Sequence, residues 1–181
     1  MEHEIGTHAL QRENGERSKL KLLGLGLDRS LRGEEGVATY REQRILGMED
    51  FAGLDGHLAI SLASGINGKK RNFREVFEIL KAFYFISSKK EKSEALKSAV
   101  NSAWDQCVRT FRGTTCQTPG ACLTRDIVYR EGNIGIWNVA KNNPAEIKRF
   151  SIGKYDPANP RHIWILEQLG ITDSDLDSLE R

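Results

Sequence analysis

Residues 1–15 read MEHEIGTHALQRENG, and the six residues HEIGTH (residues 3–8) contain two histidines and a glutamate close together. Their composition favours a helix, but the spacing of the histidines is unusual. In a regular α-helix, residues at i and i+4 lie about 40° apart around the axis, whereas residues at i and i+5 lie about 140° apart. His3 and His8 are five positions apart, so a regular helix would place them on different faces.

A π-type turn, with hydrogen bonds from i to i+5, would bring both imidazoles back to one face. Such turns are rare and concentrate at functional sites, and Gly6 would ease the distortion. The segment then resembles H-E-x-x-H, the zinc-peptidase pattern in which the histidines bind the metal and the glutamate acts as base. We therefore predict a zinc site with His3 and His8 as ligands and Glu4 as base; chance occurrence of the pattern is the alternative.

A catalytic zinc site takes three protein ligands, so one more is needed. Residues 34–38 read EEGVA. This is similar to the N-E-G-x-A pattern with which gluzincin peptidases supply a glutamate ligand from a following helix. The comparison predicts Glu35 as the third ligand and Glu34 as a neighbour that supports the site or faces the substrate. The alternative is that both glutamates only stabilise a helix N-terminus through the helix dipole.

The composition is that of an ordinary globular protein, with 181 residues, 39% hydrophobic and 29% charged residues and a net charge of +2. We expect a single domain over residues 1–181. The basic clusters at 69–71 and 89–92 lack interleaved aromatic residues, so no nucleic acid is expected as a partner. No apolar run reaches the roughly 20 residues that cross a bilayer, so we expect no membrane association and a cytoplasmic location. The three cysteines include no C-x-x-C pair and favour neither a disulfide framework nor a thiolate metal site.

Apolar residues recur mainly at helical spacing, so the predicted fold class is mainly α. Helices are expected over residues 2–12, 34–47, 50–64, 73–84, 93–112, 123–139 and 161–169, with a last short helix after Thr172. The Gly-rich stretch 20–33 is predicted to be packed irregular chain, and 123–139 fits a helix or a strand almost equally, with helix preferred. The helix over 93–112 is expected to bury Leu96, Val100, Ala103, Trp104, Cys107 and Phe111.

Five segments occur in an order that resembles a known family. They are HEIGTH, KLLGLGL, EEGVA, RTFRGTT and LTRDIVYREGN, and together they are similar to the tyrosine carboxypeptidase family of zinc metallopeptidases. Its animal members include the microtubule-associated tyrosine carboxypeptidases, which remove the C-terminal tyrosine of α-tubulin; bacterial relatives were long described as a domain of unknown function. The resemblance implies the helical C-terminal part of a gluzincin-like metallopeptidase domain, zinc as cofactor, and a peptide or protein C-terminus as substrate.

The resemblance also implies roles for individual residues. His3 and His8 match the family's histidine ligands, Glu4 the glutamate that activates water, and Glu35 the glutamate ligand. The other two histidines of the chain match no motif and are expected to be structural.

The later motifs of the family, approximately R-x-F/Y-R-G and F-x-K-D-x-V-Y-L-x-G, correspond here to residues 109–113 and 123–132. Arg125 stands where lysine is commoner, which keeps the charge and changes the hydrogen-bond geometry. A carboxypeptidase must bind a free carboxylate, for which an arginine fork is suited, and must stabilise an oxyanion. Arg112 and Arg125 are the candidates for substrate binding and Tyr129 for the oxyanion; loop stabilisation and core packing are the alternatives.

Members of the family carry a longer segment before the HExxxH helix than the two residues found here. The expectation is therefore that the chain lacks the N-terminal part of the family's catalytic unit, and that a partner chain could supply it. A rival from another class is an inactive or partner-dependent helical fragment that acts as a binding protein, since missing elements would leave an apolar surface exposed.

Overall fold

The computed structural model describes residues 1–179, and over that range it contains helices and no strand. The elements are a π-helical segment Glu2–Ala9, α1 (Leu10–Arg17), α2 (Leu22–Leu25), α3 (Leu31–Leu46), α4 (Leu54–Ser64), α5 (Phe73–Ser87), α6 (Lys92–Phe111), α7 (Ile127–Asn142), a 3-10 segment Pro144–Ser151, α8 (Pro160–Gln168) and α9 (Ser174–Leu179). The predicted mainly α fold class is confirmed.

The chain divides into two compact units. The first comprises Met1–Ala52 together with the chain from Val128 onward, and the second comprises Gly53–Ile127. The prediction of a single domain stays a prediction. None of the helices within residues 1–179 is both long and apolar enough to span a membrane.

Helix α3 lies at the centre of the first unit, and residues 33–40 are all buried. Two glycines let other backbone segments approach it closely. A Cβ on Gly33 would lie 2.3 Å from the Cα of Asp156, and a Cβ on Gly36 would lie 2.5 Å from the carbonyl carbon of Gly132 on α7. Close approach of this kind is open only to residues without a side chain. Glycines therefore fix how α3 contacts α7 and the C-terminal segment.

The segment after α7 attaches to the first helix through hydrogen bonds from buried amides. Gln11 Nε2 donates to the Phe150 carbonyl at 2.8 Å, and Asn14 Nδ2 donates to the Ser151 carbonyl at 2.8 Å. His162 accepts from the Asp156 backbone N–H at Nδ1 and donates to a backbone carbonyl from Nε2. Both ring nitrogens are thus used within the fold, which supports the structural role expected of this histidine.

The second unit is built on the antiparallel pair α5 and α6, with α4 packed against both. Helix α5 begins with a capping box in which Asn72 accepts from the Glu75 backbone N–H and Glu75 accepts from that of Asn72. The core of this unit consists of Ala59, Ala63, Val76, Leu80, Ala103, Cys107 and Phe111. The observed range of α5, Phe73–Ser87, confirms the predicted helix at 73–84 and extends it at its C-terminal end.

The prediction for α6 is correct in extent and partly wrong in orientation. Leu96, Val100 and Trp104 are 50%, 37% and 55% exposed, whereas the neighbouring Ala95 and Ala99 are buried. The inward face of α6 carries its alanines together with Cys107 and Phe111, whereas Leu96, Val100 and Trp104 lie on its partly exposed side. Apolar periodicity alone does not distinguish these two faces, since both repeat every three to four residues.

Other boundaries also differ. The first helix extends to Arg17, and the stretch predicted as irregular contains the short helix α2 and the first turn of α3. Gly15 explains part of this difference, because a Cβ there would lie 2.3 Å from the Leu23 backbone. Tertiary packing therefore orders a segment that has no amphipathic period of its own.

We expect Gly132→Ala to lower the free energy of unfolding by about 1–3 kcal/mol, because overpacking at a rigid contact forces the backbone to shift. The added Cβ would lie 2.0 Å from the Arg32 carbonyl oxygen. Gly56→Ala is the matched control, since a Cβ on that helical glycine meets nothing closer than 3.7 Å. It should be neutral or stabilise by up to about 1 kcal/mol. Urea unfolding followed by circular dichroism measures both, and equal effects would contradict the close-contact interpretation.

Candidate metal centre

The π-helical segment Glu2–Ala9 brings the two histidines of HEIGTH together. The backbone N–H of Leu10 reaches back five residues to the Ile5 carbonyl, which is the wide spacing of a π-turn. The ring centroids of His3 and His8 are 5.1 Å apart. The expected π-turn is therefore present, and it overcomes the 140° separation that a regular helix would impose.

Helix α3 carries Glu35 to the same place. Its Oε2 lies 3.2 Å from His3 Nε2 and 3.5 Å from His8 Nε2. The three potential ligand atoms lie within 4.8 Å of one another. Tetrahedral zinc with bonds of about 2.1 Å would hold its ligand atoms about 3.4 Å apart. The separations in this cluster are therefore suited to a metal ion bound by two imidazoles and one carboxylate.

The electrostatics of the cluster favour an ionised carboxylate. Burial by itself would raise the pKa of Glu35, but the contacts and charges of His8 and His3 outweigh it and hold the pKa below its ordinary value. In return, the contact with Glu35 raises the pKa of His8, against the opposing effect of partial burial. An ionised carboxylate offers only acceptor oxygens, which is the form that binds a cation.

Glu42 supports His3 from the other side of the ring. Its Oε2 lies 3.2 Å from His3 Nδ1, within hydrogen-bond distance, and an ionised carboxylate there can only accept from that nitrogen. A proton held on Nδ1 leaves the lone pair of Nε2 directed at the cluster, and carboxylates commonly orient metal-binding histidines in this way. Sequence reasoning missed this residue. The signal was its position seven residues after Glu35, because residues two turns apart lie on one face of a helix.

Glu34 and Glu4 occupy different surroundings. Glu34 is buried; it accepts from Ser30 Oγ at 2.6 Å and pairs with Lys154 Nζ at 3.2 Å. Its charge contributes to the raised pKa of His8. Glu4 is exposed on the π-helical segment, and its charge also acts on His8. Of these two glutamates, Glu4 is accessible to a substrate, whereas Glu34 is held by its own partners.

The remaining candidates are distributed over both units. Tyr129 is half-buried on α7 in the first unit, whereas Arg112 and Arg125 belong to the second. Arg112 Nη2 lies 3.3 Å from Oδ1 of Asp126, and Arg109 Nη2 lies 2.9 Å from Oδ2 of the same carboxylate. Arg125 is exposed in the turn before α7. The ion pair of Arg112 supports the loop-stabilising alternative for that residue, and its roles and those of Arg125 and Tyr129 stay predictions.

A family model described as microtubule-associated tyrosine carboxypeptidase matches residues 1–174. The chain belongs to this tyrosine carboxypeptidase family. The match covers the cluster of His3, His8 and Glu35 and nearly all of the described residues, so the family resemblance inferred from the motifs is confirmed. No curated protein and no solved structure matches the chain.

Substituting a ligand should abolish metal binding. We expect about one zinc per chain for the wild-type protein and a fall in affinity of at least about 100-fold for His8→Ala and Glu35→Ala, since each removes one of three donors. Competition with a chromophoric chelator measures the affinity. His57→Ala is the control, because this histidine lies in the second unit, outside the cluster. Retention of zinc by His8→Ala would refute the assignment.

Removing the partner of His3 should have a smaller effect. Glu42→Ala should weaken zinc binding by about 10–100-fold, the usual loss when the outer partner of a ligating histidine is removed. Glu42→Gln keeps an acceptor oxygen and should lie between this variant and the wild type. The same competition titration applies, with Glu49→Ala, at an exposed position three residues beyond α3, as control. Equal affinity in all four proteins would exclude the role given to Glu42.

Proposed function

We propose that the chain is a zinc-dependent carboxypeptidase that removes a C-terminal residue, with tyrosine as the first candidate, from a peptide or protein. The observation that carries the proposal is the convergence of His3 and His8 from a π-turn with Glu35 from α3, at separations suited to zinc. Membership of the tyrosine carboxypeptidase family supports hydrolysis of a C-terminal peptide bond.

The donor set of two imidazoles and one carboxylate suits zinc, although geometry alone does not select one divalent metal, since availability also matters. A zinc ion bound there would polarise the scissile carbonyl and lower the pKa of a water molecule to about 7.

Glu4 is the proposed general base and acid. It follows His3 directly in the chain, is exposed, and acts electrostatically on His8. A carboxylate in that position can take the proton from the attacking water and then deliver it to the nitrogen of the leaving amine. Glu34 would serve indirectly, because its bonds to Ser30 and Lys154 anchor the first turn of α3, from which Glu35 projects.

The substrate is proposed to present a free C-terminal carboxylate. Arg112 and Arg125 are the proposed partners of that carboxylate, since guanidinium groups bind carboxylates through paired N–H donors. Arg125 is exposed, and about half of the Arg112 side chain is accessible beside its ion pair with Asp126. The Tyr129 hydroxyl is proposed to donate a hydrogen bond to the oxyanion that forms when water attacks the scissile carbonyl.

The test is release of the terminal residue from synthetic peptides by the zinc-loaded chain, measured by mass spectrometry. Peptides ending in tyrosine, phenylalanine, lysine and tyrosine amide separate the requirement for an aromatic side chain from that for a free carboxylate. We expect release of tyrosine and phenylalanine, and none from the amide.

Glu4→Gln should lower kcat by about 10²–10⁴-fold, the usual contribution of a general base, while zinc stoichiometry stays unchanged. Glu13→Gln, at an exposed position on α1, is the control and should keep full activity. A chain that binds one zinc but releases no residue from any peptide would contradict the carboxypeptidase proposal and favour the helical binding protein.

A further inference from the structure

The π-turn leaves one backbone carbonyl without a helical partner. In a π-turn each N–H binds the carbonyl five residues back, and in an α-helix it binds the carbonyl four residues back. At the junction, two consecutive N–H groups therefore bind carbonyls two positions apart, and the carbonyl between them has no helical donor. Leu10 is the first residue of α1, and its N–H still reaches back to Ile5. The carbonyl between the two patterns is therefore that of Gly6. An unpaired carbonyl away from water is costly, so it requires another donor.

Arg41 of α3 supplies that donor. Its Nη1 donates to the Gly6 carbonyl oxygen at 2.7 Å and lies 3.4 Å from Thr7 Oγ1. Its Nη2 donates to Ser151 Oγ at 2.5 Å. Among the described residues, no carboxylate lies within salt-bridge distance of this guanidinium. Partial burial lowers the pKa of Arg41. This partly buried cation thus binds a carbonyl and hydroxyl groups.

We propose that Arg41 is a positioning residue of the metal centre, which maintains the wide turn by binding the Gly6 carbonyl and so keeps His3 and His8 on one face. The inference rests on the proposed function only in that these histidines hold a metal. If the Gly6 carbonyl lost its donor, the segment would gain by returning to regular α-helical bonds. His3 and His8 would then point about 140° apart around the axis, and the pair could no longer chelate one ion.

The location of Arg41 gives the arrangement its rigidity. Helix α3 carries Glu35, Arg41 and Glu42, so one element supplies the third ligand, the donor for the turn and the partner of His3. The contact with Ser151 indicates the alternative role for Arg41. An arginine that joins two segments can stabilise the fold without affecting the geometry of the turn. A test must separate these two roles.

The variants are Arg41→Met, which keeps an unbranched apolar stem and removes the guanidinium donors, and Ser151→Ala, which removes the second bond and leaves Gly6 paired. Arg44→Met is the control at an exposed position on the same helix. Zn²⁺ affinity is measured by chelator competition, the geometry of the site by the d–d spectrum of bound Co²⁺, and folding by circular dichroism. Hydrogen exchange of residues 1–14 is measured on the metal-free proteins.

We expect Arg41→Met to bind Zn²⁺ about 10–100-fold more weakly and to change the Co²⁺ spectrum, with Ser151→Ala and Arg44→Met close to wild type. Exchange rates of the amides of residues 1–14 should differ by at least about 10-fold between metal-free Arg41→Met and the control, because the hydrogen bonds of the segment rearrange when the wide turn is lost. If Arg41→Met does not fold, Arg41→Lys replaces it. Lysine keeps the charge but lacks the two separate Nη donors that bind Gly6 and Ser151, and the zinc affinity of Arg41→Lys should also fall below that of Ser151→Ala.

Two results would overturn the proposal. One is an equal loss of zinc affinity in Ser151→Ala and Arg41→Met, which would assign Arg41 to general stability. The other is unchanged affinity and unchanged exchange in Arg41→Met. Failure of the wild-type chain to bind Zn²⁺ would instead refute the proposed function, and the hydrogen-exchange comparison would still decide whether Arg41 maintains the turn.

Discussion

The geometry of the cluster formed by His3, His8 and Glu35 depends on one backbone hydrogen-bond pattern, the i to i−5 turn of the Glu2–Ala9 segment. A five-residue spacing of His3 and His8 forms a chelating pair only if the backbone widens over the Glu2–Ala9 segment. Isolated helices prefer the narrower α-turn, so contacts from outside the segment have to stabilise the wide one. Glu42 lies within hydrogen-bond distance of His3 Nδ1, Glu35 lies beside its Nε2, and Arg41 binds the Gly6 carbonyl.

All three of these contacts come from α3, whose residues 33–40 are buried. Backbone segments lie directly against Gly33 and Gly36, which leaves the helix little freedom to move. Charged groups in the first unit are compensated locally, as in the pairs of Glu34 with Lys154 and of Asp156 with Arg32. A buried charge is tolerable only with such partners. The carboxylate of Glu35, the proposed third ligand, thus lies on a helix whose position is determined by packing.

The family assignment and the geometry of the cluster each support the proposed metal-dependent peptide hydrolysis. The family match establishes relationship over residues 1–174, whereas the cluster distances follow from the packing of two helices. Outside the cluster, contacts within the fold can account for a candidate residue. Arg112 illustrates this, since its ion pair with Asp126 explains the side chain without any substrate.

The sequence by itself determined the helical class and the family, and it predicted His3, His8 and Glu35 as a ligand triad, because residue types at fixed spacing carry that information. It also indicated that a π-turn was required, since the angle between residues five apart follows from helix geometry alone. It did not determine Glu42, Arg41 or the inward face of α6. Glu42 and Arg41 act on partners more than 30 positions away. The orientation of α6 depends on how closely α5 can approach its alanines. These features were decided by the tertiary structure, because which side chains meet across two helices depends on packing distances that no local pattern records.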